Sequence, residues 1–164
     1  MPYFCDDIEN KTVYPILIKN NRKNYFTLYY YTEYSDSILH NDAKQILWFL
    51  SIEDMKNFCE KNELNFENEM AVYDFEAPIE NPVDYKRILE NWNLLDTIAN
   101  IFKMFFDGKN KKYDALYDLL FRLNTPLEPI PPMYLMSEKN YKNIQKIFKK
   151  KNRFLDRFEL YQEK

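Results

Sequence analysis

Val13-Tyr-Pro-Ile-Leu-Ile18, a polar break Asn20-Asn-Arg-Lys-Asn24, then Tyr25-Phe-Thr-Leu-Tyr-Tyr-Tyr-Thr32 is the stretch on which the fold turns. Both flanks are rich in β-branched and aromatic residues, which suit a pleated, half-buried surface. The break between them is turn material, so the whole predicts a β-hairpin. Pro15 has no backbone donor and points to an edge strand or a strand start for the first run. The polar stretch from Glu33 to Lys44 reads as a loop.

Working outward, Gln45-Ile-Leu-Trp-Phe-Leu50 is a continuous apolar run whose length fits a central strand buried on both faces. Ser51, with Asp54 three residues on, is a capping-box variant. Ile52, Met55, Phe58 and Cys59 then recur at helical spacing and predict a helix to near Asn62. Met70 to Phe75 returns as a strand. Asn81-Pro82 reads as an N-cap followed by proline at the first helical position. From there Tyr85, Ile88, Trp92, Leu95, Ala99, Phe102 and Phe106 predict an amphipathic helix of about seven turns, with Gly108 as its left-handed cap.

Tyr113, Leu116, Tyr117, Leu120 and Phe121 mark a second helix, and the short connection implies an antiparallel helical hairpin. Thr125 to Pro132 holds four prolines and reads as a stiff connector. Ser137 caps a last helix carrying Tyr141, Ile144, Ile147 and Phe148. Residues 153–161 fit either a closing strand or a continued helix. The expected fold class is α+β, one domain over 1–164: a small, mainly antiparallel sheet of about four or five strands against a helical hairpin and two further helices.

Composition narrows function. The chain of 164 residues is 46% hydrophobic and 18% aromatic, enough to fill a core despite 30% charged residues. One glycine, Gly108, excludes the glycine-rich phosphate loops of nucleotide-binding folds. No apolar run is long enough to span a bilayer, and the first residues lack the basic and apolar regions of a signal peptide. A cytoplasmic location is therefore expected, with Cys5 and Cys59 as reduced thiols and Cys59 as a small core residue. One histidine, His40 in a polar loop, and two distant cysteines supply neither a catalytic constellation nor a metal site, so no catalytic residue, cofactor or metal is expected.

Charge is more telling than its net value of −3. Residues 1–100 carry nine Lys or Arg against eighteen Asp or Glu, whereas 101–164 carry fourteen against eight. An acidic surface repels nucleic acid and draws basic partners. The candidate partner-binding face is Glu53, Asp54, Glu60, Glu63, Glu67, Glu69, Asp74 and Glu76. Trp92, by contrast, lies on an apolar helical stripe and is expected in the core. Two other readings stay open. Paired carboxylates could serve a hydrolytic enzyme. The interleaved bases and aromatics from Lys142 to Arg157 could hold nucleic acid, although lysines at a helix C-terminus also complement its dipole.

Two stretches add a resemblance. Ile46-Leu-Trp-Phe-Leu-Ser-Ile-Glu-Asp-Met55 with Phe58-Cys59 is one; Asn81-Pro-Val-Asp-Tyr85 through Leu89-Glu-Asn-Trp-Asn-Leu-Leu95 to Phe106-Asp-Gly108 and Phe121 is the other. Over residues 45–125 they resemble the immunity proteins of contact-dependent growth inhibition, which accompany polymorphic bacterial toxins. The resemblance implies a cytoplasmic monomer or weak dimer that binds a cognate toxin domain and blocks it. That class has no fixed functional residues to carry over. Many such toxins are basic nucleases, for which the acidic face would stand in for the phosphate backbone; the basic tail could instead meet an acidic toxin.

Overall fold

The computed structural model describes Ile8 and residues 11–125 and 132–162. Cys5 and most of the proline-rich connector lie outside these residues. In chain order the elements are β1 (Thr12–Asn20), β2 (Lys23–Tyr31), β3 (Asp36–Ile38), β4 (Leu47–Trp48), α1 (Ile52–Lys61), β5 (Asn65–Phe66), β6 (Ala71–Asp74), α2 (Tyr85–Phe102), α3 (Asp114–Asn124), α4 (Glu138–Lys149), α5 (Asn152–Leu155) and β7 (Glu159–Leu160). The class is α+β. A mixed sheet in the order β3-β2-β1-β5, with β6 also on β1, is joined by a small β4–β7 pair.

The hairpin forms as the sequence predicts, in register from Tyr14 opposite Tyr29 to Asn20 opposite Lys23. Asn21 and Arg22 close it with φ of 49° and 61°, the left-handed pair that lets a two-residue loop follow the strand twist. Pro15 marks neither an edge strand nor a strand start, since it is the fourth residue of β1. β1 is interior, because it also pairs in parallel with β5 at Thr12 and Val13 and with β6 from Ile16 to Lys19. On that side the Val13 carbonyl accepts from the Glu67 N–H at 3.0 Å and the Lys19 carbonyl from the Phe75 N–H at 2.9 Å. Strand alternation turns Pro15 to the same side. It falls in the seam between the two short partners, where no donor is needed.

Two further expectations change. The stretch 33–44 is not all loop, since Asp36–Ile38 adds a strand to β2, with Tyr31 opposite Asp36. The apolar run 45–50 is not a central strand. Only Leu47 and Trp48 are strand, paired in parallel with β7, and Phe49 N–H reaches the Phe26 carbonyl at 2.8 Å. Residues 46–49 are apolar on both faces because they lie between two cores. Ile46 and Trp48 pack with the larger one, Leu47 and Phe49 with the smaller.

Those cores lie on opposite faces of the sheet. Val13, Leu28 and Tyr30 pack with Met55, Phe58 and Cys59 of α1. Ile16, Ile18 and Tyr25 belong to the cluster of Ile88, Leu95 and Ile98 on α2, Leu116 and Leu120 on α3, and Ile144 and Ile147 on α4. Serine caps α1 and α4 as expected: Ser51 Oγ accepts from Asp54 N–H and Ser137 Oγ from Asn140 N–H, both at 3.1 Å.

α2 is shorter than its sequence suggests at both ends. Its cap is Asp84, whose carboxylate accepts from Arg87 N–H at 3.1 Å. Asn81, which precedes a cis peptide to Pro82, spends both amide atoms on Met136: Nδ2 donates to its carbonyl at 2.9 Å and Oδ1 accepts from its N–H at 2.8 Å. At the other end Lys103, with φ of 54°, is the left-handed cap. Gly108 instead sits in a 3-10 turn, Asp107–Lys109, and its φ is not positive. It is needed for space, because a Cβ there would lie 2.6 Å from the Phe106 ring and 2.8 Å from Trp92 Nε1.

α2 and α3 run antiparallel, as predicted: Lys109 meets Asp96, Tyr117 meets Asn93 and Asn124 meets Tyr85. Trp92 is core, 2% exposed. The ambiguity over 153–161 resolves into both readings in turn, a short helix to Leu155 and then β7.

Gly108→Ala is expected to destabilise the fold by about 1–3 kcal/mol, the usual range for an overpacked site. Urea unfolding followed by Trp92 fluorescence measures this. An unchanged midpoint would show that Phe106 and Trp92 yield freely.

Candidate functional site

Six of the eight candidate acids are on α1 or the segment that leaves it. Glu53 and Asp54 fill the first turn, where the helix dipole favours a negative charge. Glu60 is in the last turn and Glu63 follows at φ 55°, where that dipole gives them no support. Glu67 and Glu69 stand in the segment on from β5. All six are exposed.

Asp74 and Glu76 are elsewhere. They lie at the hairpin end of β1, beside Lys19 and Arg22, whereas Glu67 is beside Val13. At roughly 3.3 Å per residue, these ends are about 20 Å apart along the strand. Both carboxylates there have structural work. Asp74 Oδ1 accepts from the N–H groups of Glu76 at 2.8 Å and Ala77 at 3.0 Å, and Glu76 accepts from Arg22 N–H at 2.6 Å. The Asp74 carbonyl accepts from Arg87 and Asn91 of α2, which tie the helix to the end of β6. Partial burial pushes the Asp74 carboxyl up, but the Ala77 and Glu76 N–H groups, with Arg87 and Lys19 nearby, outweigh it and hold the group below its ordinary value.

At the start of α1 the structure adds what sequence reading missed. Leu50 is 64% exposed and Ile52 39%. Leu50 borders a cleft of about 410 Å³ lined also by Phe49, Asp54, Phe58, Lys61 and Tyr161, among others. The signal was in the sequence as the last residue of an apolar run next to a helix cap, a place where a strand has ended and its side chains need not turn inward.

Among the described residues the nucleophile and metal candidates, Cys59 and His40, are packed away. Cys59 is buried, and burial pushes its thiol up to about 12, which leaves it protonated and inert. His40 is 4% exposed rather than in an open loop, and its Nδ1 pairs with the Ile38 carbonyl at 2.7 Å. Among the described residues no group of three His, Cys, Asp or Glu side chains could hold a metal ion.

The basic segment is divided. Lys142, Lys146 and Lys149 stand at i, i+4 and i+7 on α4 and line a groove of about 530 Å³ over Ile79 and Phe148. Lys142 also pairs with Glu138 of the same helix at 2.9 Å, and other cations there are used internally. Lys150 pairs with Asp107 at 3.3 Å, and Lys151 Nζ donates to the Phe75 carbonyl. Burial, with Arg87 adding to it against Asp74 and Glu76, lowers the Lys151 ammonium below its ordinary value.

With the geometry in hand, the chain can be compared with known proteins. No protein-family model and no curated protein matches it. Among solved structures it is similar to the crystal structure of the SatS C-terminal domain in complex with bromine, at 15% identity and a TM-score of 0.57, over 91% of this chain and 94% of that one. The likeness is one of fold. No helix among the described residues is long and apolar enough to cross a membrane.

The Asp74 linkage has a definite sign. A carboxyl held below its ordinary value of 3.8 stabilises the fold above that pH and ceases to do so as pH falls through its lower folded value. Asp74→Asn is therefore expected to be less stable at about pH 7 and to lose less stability than the parent on acidification to about pH 3. Urea midpoints of both proteins at the two pH values test this. Parallel pH dependence would rule out a contribution from Asp74.

Proposed function

We propose that this chain is a toxin-neutralising immunity protein that holds the basic domain of a bacterial toxin against the α1 face. The observation that best supports this is the conjunction at the start of α1: exposed Leu50 and Ile52 and an apolar-floored cleft, with Glu53 and Asp54 immediately beside them. Interfaces hold most of their affinity in a few well-buried anchor residues, while charges around them set partner choice and association rate. Glu60, Glu63, Glu67 and Glu69 extend the negative field beyond the anchor.

Such a face selects a positively charged partner. A nuclease site is positively charged because its substrate is a polyphosphate, and carboxylates occupy it as phosphates would. The likeness of residues 45–125 to contact-dependent growth-inhibition immunity proteins supports the same reading. A second reading rests on the lysine groove of α4, which suits a polyanion. It would appear as oligonucleotide binding that weakens steeply with salt.

A toxin domain is expected to be encoded beside this chain, and the test uses that domain. The parent protein is expected to bind it and abolish its activity. Leu50→Asp is expected to weaken binding at least about tenfold, chiefly by faster dissociation. Glu53→Lys with Asp54→Lys is expected to slow association by about tenfold at low salt and less at high salt. Biosensor kinetics measure both. A toxin domain that neither binds nor is inhibited would overturn the proposal, and so would a Leu50→Asp variant that binds as tightly as the parent.

A further inference from the structure

A second exposed surface lies on the other side of the sheet. Side chains alternate along β1 and β2, so Tyr14, Tyr29 and Tyr31 share the face of Ile16, Ile18 and Tyr25, opposite the α1 side. Around Ile16 and Ile18 that face is buried with the α2 cluster. Toward Tyr14 and Tyr31 it opens, and these rings are 37% and 57% exposed. They are in mutual contact: the Tyr31 centroid is 5.5 Å from Tyr14 and 5.6 Å from Tyr29, at interplanar angles of 74° and 76°.

Carboxylates border the rings. Asp36 stands opposite Tyr31 across the β2–β3 ladder, is exposed, and accepts the Tyr29 hydroxyl hydrogen. Tyr73 of β6, opposite Ile18, adds a further hydroxyl. Burial raises it above its ordinary value, helped by Glu90, Tyr31 and Asp36, so these groups act on one another. Glu90 has Lys86 at 3.9 Å, a long and exposed pair that competes weakly.

Cross-strand tyrosines stabilise a hairpin, and this accounts for Tyr14 standing opposite Tyr29 in the ladder. It does not account for the open ring of Tyr31 beside an exposed carboxylate. Aromatic faces carry negative potential and attract cations, and a guanidinium stacks on them while its fork donates to a carboxylate. Lysine, a compact and strongly hydrated point charge, has less to gain. A nucleic acid would be repelled by Asp36 and Glu90, and an apolar partner would bury the Asp36 charge with only the Tyr29 hydroxyl to match it.

We propose that the Tyr14–Tyr29–Tyr31 cluster with Asp36 is a docking surface for an arginine side chain of a basic protein partner. It is separate from the α1 face, on the opposite side of the sheet, and stands or falls without it.

The probe is an acetylated, amidated tetra-arginine peptide, titrated into the whole protein carrying labelled tyrosine rings, with tetralysine and tetraglutamate as controls. The arginine peptide is expected to shift the ring signals of Tyr14, Tyr29, Tyr31 and Tyr73, more than tetralysine does and with no response to tetraglutamate. Tyr31→Leu, which keeps apolar cover but loses the π face, and Asp36→Asn are each expected to weaken binding about tenfold. Each variant also loses a contact within the cluster, so unfolding midpoints are measured alongside and binding is compared where every protein is fully folded. Shifts confined to Tyr161, which lines the cleft at α1, tyrosine signals that move with protein concentration alone, or a Tyr31→Leu variant that binds like the parent would each overturn the proposal.

Discussion

The structure depends on β1 being an interior strand with both faces covered. On one side it has a full antiparallel partner in β2. On the other it has only two short parallel ones, β5 and β6, joined at the seam where Pro15 lies. Interior position makes both faces apolar, and each needs its own helical cover. α1 supplies one, while α2, backed by α3 and α4, supplies the other. The division into two cores follows from this. So does the separation of the two surfaces to which function is assigned here: the acidic, apolar-tipped α1 on one side and the tyrosine cluster on the other.

Much of this was legible in local chemistry. The hairpin followed from two aromatic and β-branched runs around polar turn residues, and both serine caps from Ser-x-x followed by an apolar period. What misled was a local signal with two physical causes. Residues 46–49 are apolar on both sides because they wedge between two cores, and periodicity reports burial, not a place in a sheet. Asn81-Pro82 has the chemistry of a helix start, yet Asn81 gains more by satisfying both backbone groups of Met136, and Asp84 caps instead. Gly108 resembles a left-handed cap but is there because Trp92 and Phe106 leave no room for a Cβ.

The site was only half legible, for a related reason. Composition shows that acids crowd the middle of the chain, but grouping depends on topology. A parallel β6 carries Asp74 and Glu76 to the hairpin end, away from the acids of α1, and puts their oxygens to work on backbone N–H groups. Leu50 and Ile52 were hidden inside apolar patterns read as core. His40 likewise moved from an apparent loop into the interior, because β3 and its bridge to Ile46 enclose it.

The central claim is that a basic toxin domain is held against the α1 face. Hydrogen–deuterium exchange on the complex with the neighbouring toxin domain tests it without any substitution. New protection is expected over residues 50–61, with the amides of α4 unchanged. Protection confined to residues 142–151, or no protection anywhere, would contradict it.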